Sequence, residues 1–203
     1  MTWRPSAPLP HLSARAKLNR LLRDFFARRD VMEVETPLLC STTATDPHLS
    51  SWQSAANGAT YYLQTSPEFC MKRMLAAGCG PIYQLGKAFR LEEHSRQHNP
   101  EFTMLEWYRP DWNLEQLMDE VEALVLNTAS AFGISLSTFT RLTYRRAFED
   151  TVGLNPHRCS TSGSCRRPQC RTSTTTITAG SPTTYARPMM VAYTAYPAHS
   201  RVK

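Results

Sequence analysis

The chain has 203 residues, 41% hydrophobic and 20% charged, with a formal net charge of +6. That is enough for one domain with a sizeable core. No apolar run approaches the length of a membrane span, and the polar, Pro-containing start Met1-Thr2-Trp3-Arg4-Pro5 is unlike a signal peptide, so a cytoplasmic protein is expected. Residues 1–158 hold 17 Lys+Arg against 17 Asp+Glu, and the whole positive excess lies in six basic residues of 159–203. A basic patch on the folded part, and with it a long nucleic-acid footprint, is therefore not indicated.

Ser13 to Arg29 has the spacing of an amphipathic helix, with Leu18, Leu21, Leu22, Phe25 and Phe26 on one side and Ser13 as N-cap. Val31 to Glu35 alternates like a short strand and is stopped by Thr36-Pro37, because proline cannot donate to a sheet. The stretch from Cys40 to Thr60 is polar and turn-rich, with Asn57-Gly58 as its best hairpin signal. Tyr61 to Gln64 is predicted as a strand. At Ser66-Pro67-Glu68 a helix should begin, Ser capping, Pro in the first position and Glu at the positive end of the dipole. That helix carries Phe69, Met71, Met74 and Leu75 and stops at Gly78.

Ile82 to Arg90 and Glu101 to Tyr108 are predicted strands joined by a charged loop, a hairpin with an unusually long tip. Long polar loops between well-formed strands more often serve function than structure. Asn113 and Gln116 have the spacing of a capping box opening a helix with Leu114, Leu117, Met118, Val121, Leu124 and Val125 on its apolar face. A last short helix is predicted from Thr143 to Asp150. The pattern points to an α+β architecture with a mostly antiparallel sheet. After Arg158 the character changes: residues 159–203 contain no Leu, Phe, Trp, Asp or Glu and are rich in Thr and Ser. Such a segment buries too little apolar surface to offset its ordering entropy and is expected to be disordered. Domain 1–158 and a low-complexity tail 159–203 follow. Cys40, Cys70 and Cys79 are scattered, Cys159, Cys165 and Cys170 match no common zinc spacing, and free thiols with no metal ligand are expected.

The hairpin Phe89-Arg90-Leu91-Glu92-Glu93 … His98-Asn99-Pro100-Glu101-Phe102 carries the chemistry. A guanidinium beside acids and opposite an aromatic suits a nucleoside triphosphate, since the planar fork binds phosphate oxygens and an aromatic ring stacks on a base. On composition alone, a solvated loop held by ion pairs explains the same residues.

The wording F-R-x-E-E followed by H-N-P-E-F-T-M-L-E-W-Y resembles motif 2 of the class II aminoacyl-tRNA synthetases of the lysine branch. The helix before Val31-Met32-Glu33-Val34-Glu35-Thr36-Pro37 resembles motif 1, and Thr65-Ser66-Pro67-Glu68 resembles the family's amino-acid-binding segment. The resemblance runs over roughly residues 10 to 155. It implies a mixed, mostly antiparallel sheet flanked by helices, and a homodimer through the motif 1 region. It also implies ATP and Mg²⁺ as cofactors and a lysine-type amino acid as substrate. By residue, it assigns Arg90 to catalysis and to the α-phosphate of ATP. Leu91, Glu92, Asn99 and Phe102 fall on ATP-binding positions, and Ser66, Pro67, Glu68 and Tyr108 on substrate-binding ones. Ser66 and Pro67 also serve as a helix start, and Phe102 and Tyr108 as sheet core.

With motif 1 beginning near residue 12, no anticodon-binding barrel is expected before it. The nearer likeness is then to free-standing members that attach lysine or β-lysine to a lysine of elongation factor P, with tRNA not expected as a partner. Trp3-x-Pro5-Ser6, Thr45-Asp46-x-His48-Leu49 and Ala77-Gly78-Cys79-Gly80-Pro81 add to it. The alternatives are a tRNA-charging lysine ligase and a catalytically inactive fragment. Leu91 stands where the family usually has Asn, and Asp30 where Gly is common. The portion expected to supply the Mg²⁺ ligands and motif 3 has no counterpart after Arg158, and the tail has the bias of out-of-frame translation.

Overall fold

The structure, a computed structural model, describes residue 3 and residues 7–46, 49–91, 98–137 and 139–155, and the backbone of 189–192. The first helix, α1 (Leu9–Ala27), begins a turn earlier than Ser13. Pro8 occupies the N-cap position without a side-chain cap, and Pro10 sits in the first turn, where a missing N–H costs nothing. Ser13 is therefore inside the helix and does not cap it. At the other end the chain reverses through Asp30 at φ 53°, and the Val31 N–H donates to the Phe26 carbonyl at 3.1 Å. This left-handed corner is where a glycine fits most easily, which is why Asp30 looked out of place in the sequence.

The strand that follows, β1 (Met32–Glu33), is shorter than predicted and runs parallel to β5 (Ile82–Phe89), pairing Met32 with Ile82 and Glu33 with Tyr83. β5 forms the predicted antiparallel hairpin with β6 (Glu101–Tyr108), in register from Ile82–Tyr108 to Phe89–Glu101. A second, three-stranded antiparallel sheet orders β2 (Leu39–Cys40), β4 (Ala59–Leu63) and β3 (Gln53–Ala56). Asn57 and Gly58 close its hairpin with φ of 52° and 76°, the positive pair that a tight two-residue hairpin turn requires. Three further helices, α2 (Glu68–Ala76), α3 (Leu114–Ala131) and α4 (Tyr144–Val152), complete the described part of the chain's helical content. The capping box at Asn113 and Gln116 is made in both directions at 2.9 Å, and Thr143 caps α4.

The tail departs from expectation at four residues. Met189–Ala192 form β7, antiparallel to β6 from Met104 to Trp107. They lie in the longest apolar run of that segment, and the outer edge of β6 offers a row of backbone donors and acceptors that any extended partner satisfies. The other residues of 159–203, including Cys159, Cys165 and Cys170, lie outside the described residues.

Period-two alternation sorts the β5–β6 hairpin into two faces. Tyr83, Leu85, Leu105 and Trp107 face α1 and α3, packing with Leu22, Phe25, Phe26, Val31 and Leu124 in the main core. Phe26 stacks on Tyr83 at 4.5 Å between ring centroids. Ile82, Ala88, Phe102, Met104 and Tyr108 belong to separate clusters on the other face, where α2 contributes Met71. No helix among the described residues is long and apolar enough to cross a membrane.

Candidate active site

The second face of the hairpin gathers most of the candidate residues, because β5 and β6 place alternate residues on it and the segment after β4 crosses it. Gln64 joins the two sheets. Its Nε2 donates to the Lys87 carbonyl at 2.9 Å, its Oε1 accepts from the Thr36 hydroxyl at 3.1 Å, and its own carbonyl accepts from the Phe89 N–H at 2.9 Å. Gln84 takes the Thr36 N–H at 2.9 Å. Buried amide and hydroxyl groups satisfied in this way fix one relative placement of the strands. They set the segment Thr65-Ser66-Pro67 against the end of β5.

Arg90 follows directly on β5 and is buried. Its N–H donates to the Pro100 carbonyl at 2.9 Å, closing the hairpin stem, and its Nε donates to the Thr65 carbonyl at 3.4 Å. The guanidinium stands 5.3 Å from the centroid of the Phe102 ring. Phe102 is itself buried among Ala88 and Met104, so a base stacking there meets the arginine as well. Ser66 lies half-buried two residues before the helix, and its Oγ accepts from the Glu68 N–H at 3.4 Å. Pro67 is the N-cap residue and Glu68 opens α2, one position later than the sequence suggested. The Glu68 carboxylate pairs with Lys72 one turn on.

The centre of the face is Glu106, which is 1% exposed. Its Oε1 accepts from the Tyr108 hydroxyl at 2.7 Å, while Oε2 has no protein partner. Burial, only partly offset by the Tyr108 bond and the Lys72 and Arg90 charges, raises its carboxyl to about 7, with the Glu68 charge adding to the rise. The Tyr108 hydroxyl is pushed far up by burial and then by the Glu106 charge. A buried carboxylate oxygen without a donor is costly unless something supplies one. Protonation relieves it below about pH 7, and a bound cation would do so above.

The fold thus brings Arg90, Phe102, Glu68 and Tyr108 onto one face of the hairpin. It does not gather all the expected residues. Asn99 is exposed at the loop base, and Glu92 lies outside the described residues. The Leu91 N–H donates to the Ser50 carbonyl at 3.0 Å, so that donor is not open to a ligand. Glu106 and Gln84 were not anticipated. The signal was the alternation Phe102, Met104, Glu106, Tyr108, which puts an acid in the middle of an otherwise apolar strand face. No three His, Cys, Asp or Glu side chains gather as a metal site among the described residues. Cys40, Cys70 and Cys79 are free thiols.

A hairpin with an arginine at its stem, a short parallel strand at its edge, helices packed on one face and a buried polar face on the other match the arrangement expected of a class II synthetase catalytic domain. The chain belongs to that family: the family of class II tRNA synthetases (D, K and N) matches residues 2–194. Among curated proteins, it is 48% identical over 161 residues to an elongation factor P–(R)-β-lysine ligase of Yersinia enterocolitica, covering 76% of this chain and 48% of that protein. A ligase of the same name from Pseudoalteromonas translucida is 51% identical over 163 residues, with the same coverage. The chain spans about half the length of these curated relatives.

Proposed function

We propose that this chain carries the amino-acid- and ATP-binding face of a ligase that activates a lysine-type amino acid as its adenylate. The activated residue is then transferred to a lysine of elongation factor P. The observation that carries the proposal is the buried Glu106 with its free Oε2, set beside Tyr108, Glu68 and Arg90. A substrate with an ammonium at one end and a carboxylate at the other fits that arrangement. Glu106 and Tyr108 hold the side-chain ammonium, Glu68 takes the second amino group, and Arg90 meets the carboxylate and the α-phosphate it attacks. Phe102 lies under the base. The relatives named as ligases of (R)-β-lysine and elongation factor P favour that substrate and that acceptor.

Adenylate formation needs no covalent enzyme nucleophile. It needs in-line positioning and neutralisation of phosphate charge. Arg90 supplies a fixed cation, already anchored through Thr65 and Pro100, so little reorganisation accompanies the charge shift. Mg²⁺, when bound to the triphosphate, adds charge neutralisation there. The protein is proposed to work in the cytoplasm as a homodimer through α1 and β1, whose Leu9 and Met32 side chains are exposed.

ATP–pyrophosphate exchange with (R)-β-lysine, lysine and no amino acid tests the proposal. Amino-acid-dependent exchange is expected, and Arg90→Ala should lower it by on the order of 10²–10³-fold. Unchanged exchange in that variant removes Arg90 from catalysis. Absence of exchange in the parent chain favours the second reading, a catalytically inactive fragment.

A further inference from the structure

We propose that Glu120, on α3, is a positioning residue that holds Tyr108 and Glu106 in place from behind the sheet. The inference rests on the role given above to those two side chains. Tyr108 lies between Trp107 and Arg109, and strand alternation sends both neighbours to the opposite face. There a single carboxylate receives them. The Trp107 indole N–H donates to Glu120 Oε2 at 3.0 Å, and Arg109 Nε donates to Oε1 and Oε2 at 3.1 and 3.0 Å. Arg109 Nη2 also pairs with Oε1. Trp107, Arg109 and Glu120 are all buried.

The clamp extends to the end of the first helix. Arg109 Nη1 donates to the Arg29 carbonyl at 3.3 Å, and Arg29 Nε lies 3.9 Å from Glu120 Oε1. The Arg109 guanidinium also stands 4.4 Å from the Trp112 ring centroid. Donors from residues 107 and 109 converge on one acceptor, which fixes the local pleat and so the direction of the residue between them. Tyr108 can then present its hydroxyl to Glu106 at 2.7 Å. Buried groups supported in this way lose orientation when the supporting partner is removed.

The pair itself is dispensable for folding in principle, since a buried ion pair is often replaceable by apolar residues of similar volume without loss of stability. That separates positioning from structural support. The test uses the full chain carrying Glu120→Gln and, separately, Arg109→Met with Glu120→Leu. Three quantities are compared with the parent: the far-ultraviolet circular dichroism, the carboxyl titration of Glu106 by carbon NMR, and the calorimetric affinity for L-lysine and (R)-β-lysine.

The groups bearing on Glu106 are Tyr108, Glu68, Lys72 and Arg90. In folded variants its midpoint should fall from near 7 towards the ordinary carboxylate range as water reaches it. Affinity should drop about tenfold or more, as for one lost charge-assisted bond. Folded variants with the parent's midpoint and affinity overturn the proposal. If both variants fail to fold, Glu120 is a structural keystone and the proposal is equally overturned. If the parent binds neither amino acid while the midpoint still moves, positioning stands and the substrate assignment fails.

Discussion

The two faces of the β5–β6 hairpin share a backbone and differ in how completely their polar groups are matched. On the helix side, Glu120 satisfies Trp107 and Arg109, and aromatic rings fill the space between α1 and the strands. On the other side, Glu106 keeps one buried oxygen without a protein partner. The first face is built for stability through its buried aromatic and aliphatic packing, and the polar groups within it are matched. The second holds a carboxyl whose ionised form lacks a buried donor, so burial favours its protonated form until an incoming cation favours the carboxylate. Neighbouring residues of one strand thus divide the packed face from the proposed recognition face by their parity.

The largest effect that should sharpen this contrast lies on the packed face. Trp107→Ala removes the most voluminous fully buried side chain among the described residues, which also bonds Glu120. It should cost about 3–5 kcal/mol in urea denaturation. A cost below about 1 kcal/mol would mean that this face is not the stabilising one.

The next effect belongs to Glu106 and has a definite sign. Its carboxyl is raised to about 7 from 4.5, so the folded state binds the proton more tightly than the unfolded chain. Stability without ligand should therefore be highest below pH 4.5 as far as this group is concerned. It should fall as pH rises to about 7 and level off above, by about 3 kcal/mol in all. In Glu106→Gln that slope should disappear from urea midpoints measured across the window. A slope unchanged by the substitution assigns it to other groups.

The smallest effect concerns the corner between α1 and β1. Asp30 holds φ at 53°, and Asp30→Gly relieves a conformation that costs an L-residue about 1–2 kcal/mol while adding unfolded-state entropy. The net expectation is a gain of about 0.5–1 kcal/mol, visible as a raised melting temperature. A loss instead would show that the Asp30 side chain contributes something its backbone strain conceals.

Much of this frame was legible in the sequence where local chemistry and period agree. Asn113 with Gln116, Asn57-Gly58, and the alternation of β5 and β6 announce their structures because cap, turn and strand are each decided within a few residues. The start of α1 was missed because Pro8 and Pro10 do not look like a cap, although prolines are tolerated in a first turn. β3 escaped because every residue from Gln53 to Ala56 is exposed, leaving no apolar alternation to detect. β7 depends on the backbone edge of a distant strand, which no local pattern encodes. Among the candidate site residues, Arg90, Glu68 and Tyr108 are named by the motifs they resemble. The unmatched Glu106 could not, because its burial and its lack of a donor follow from how α2 and the strands pack.

The most direct test of a recognition face built around Glu106 is calorimetric titration of the full chain with (R)-β-lysine and lysine at pH 6 and pH 8. An ammonium favours the ionised carboxylate, so binding should be tighter at pH 8 than at pH 6 and weakened about tenfold or more by Glu106→Gln. Equal affinity at both pH values, retained in Glu106→Gln, would contradict the assignment.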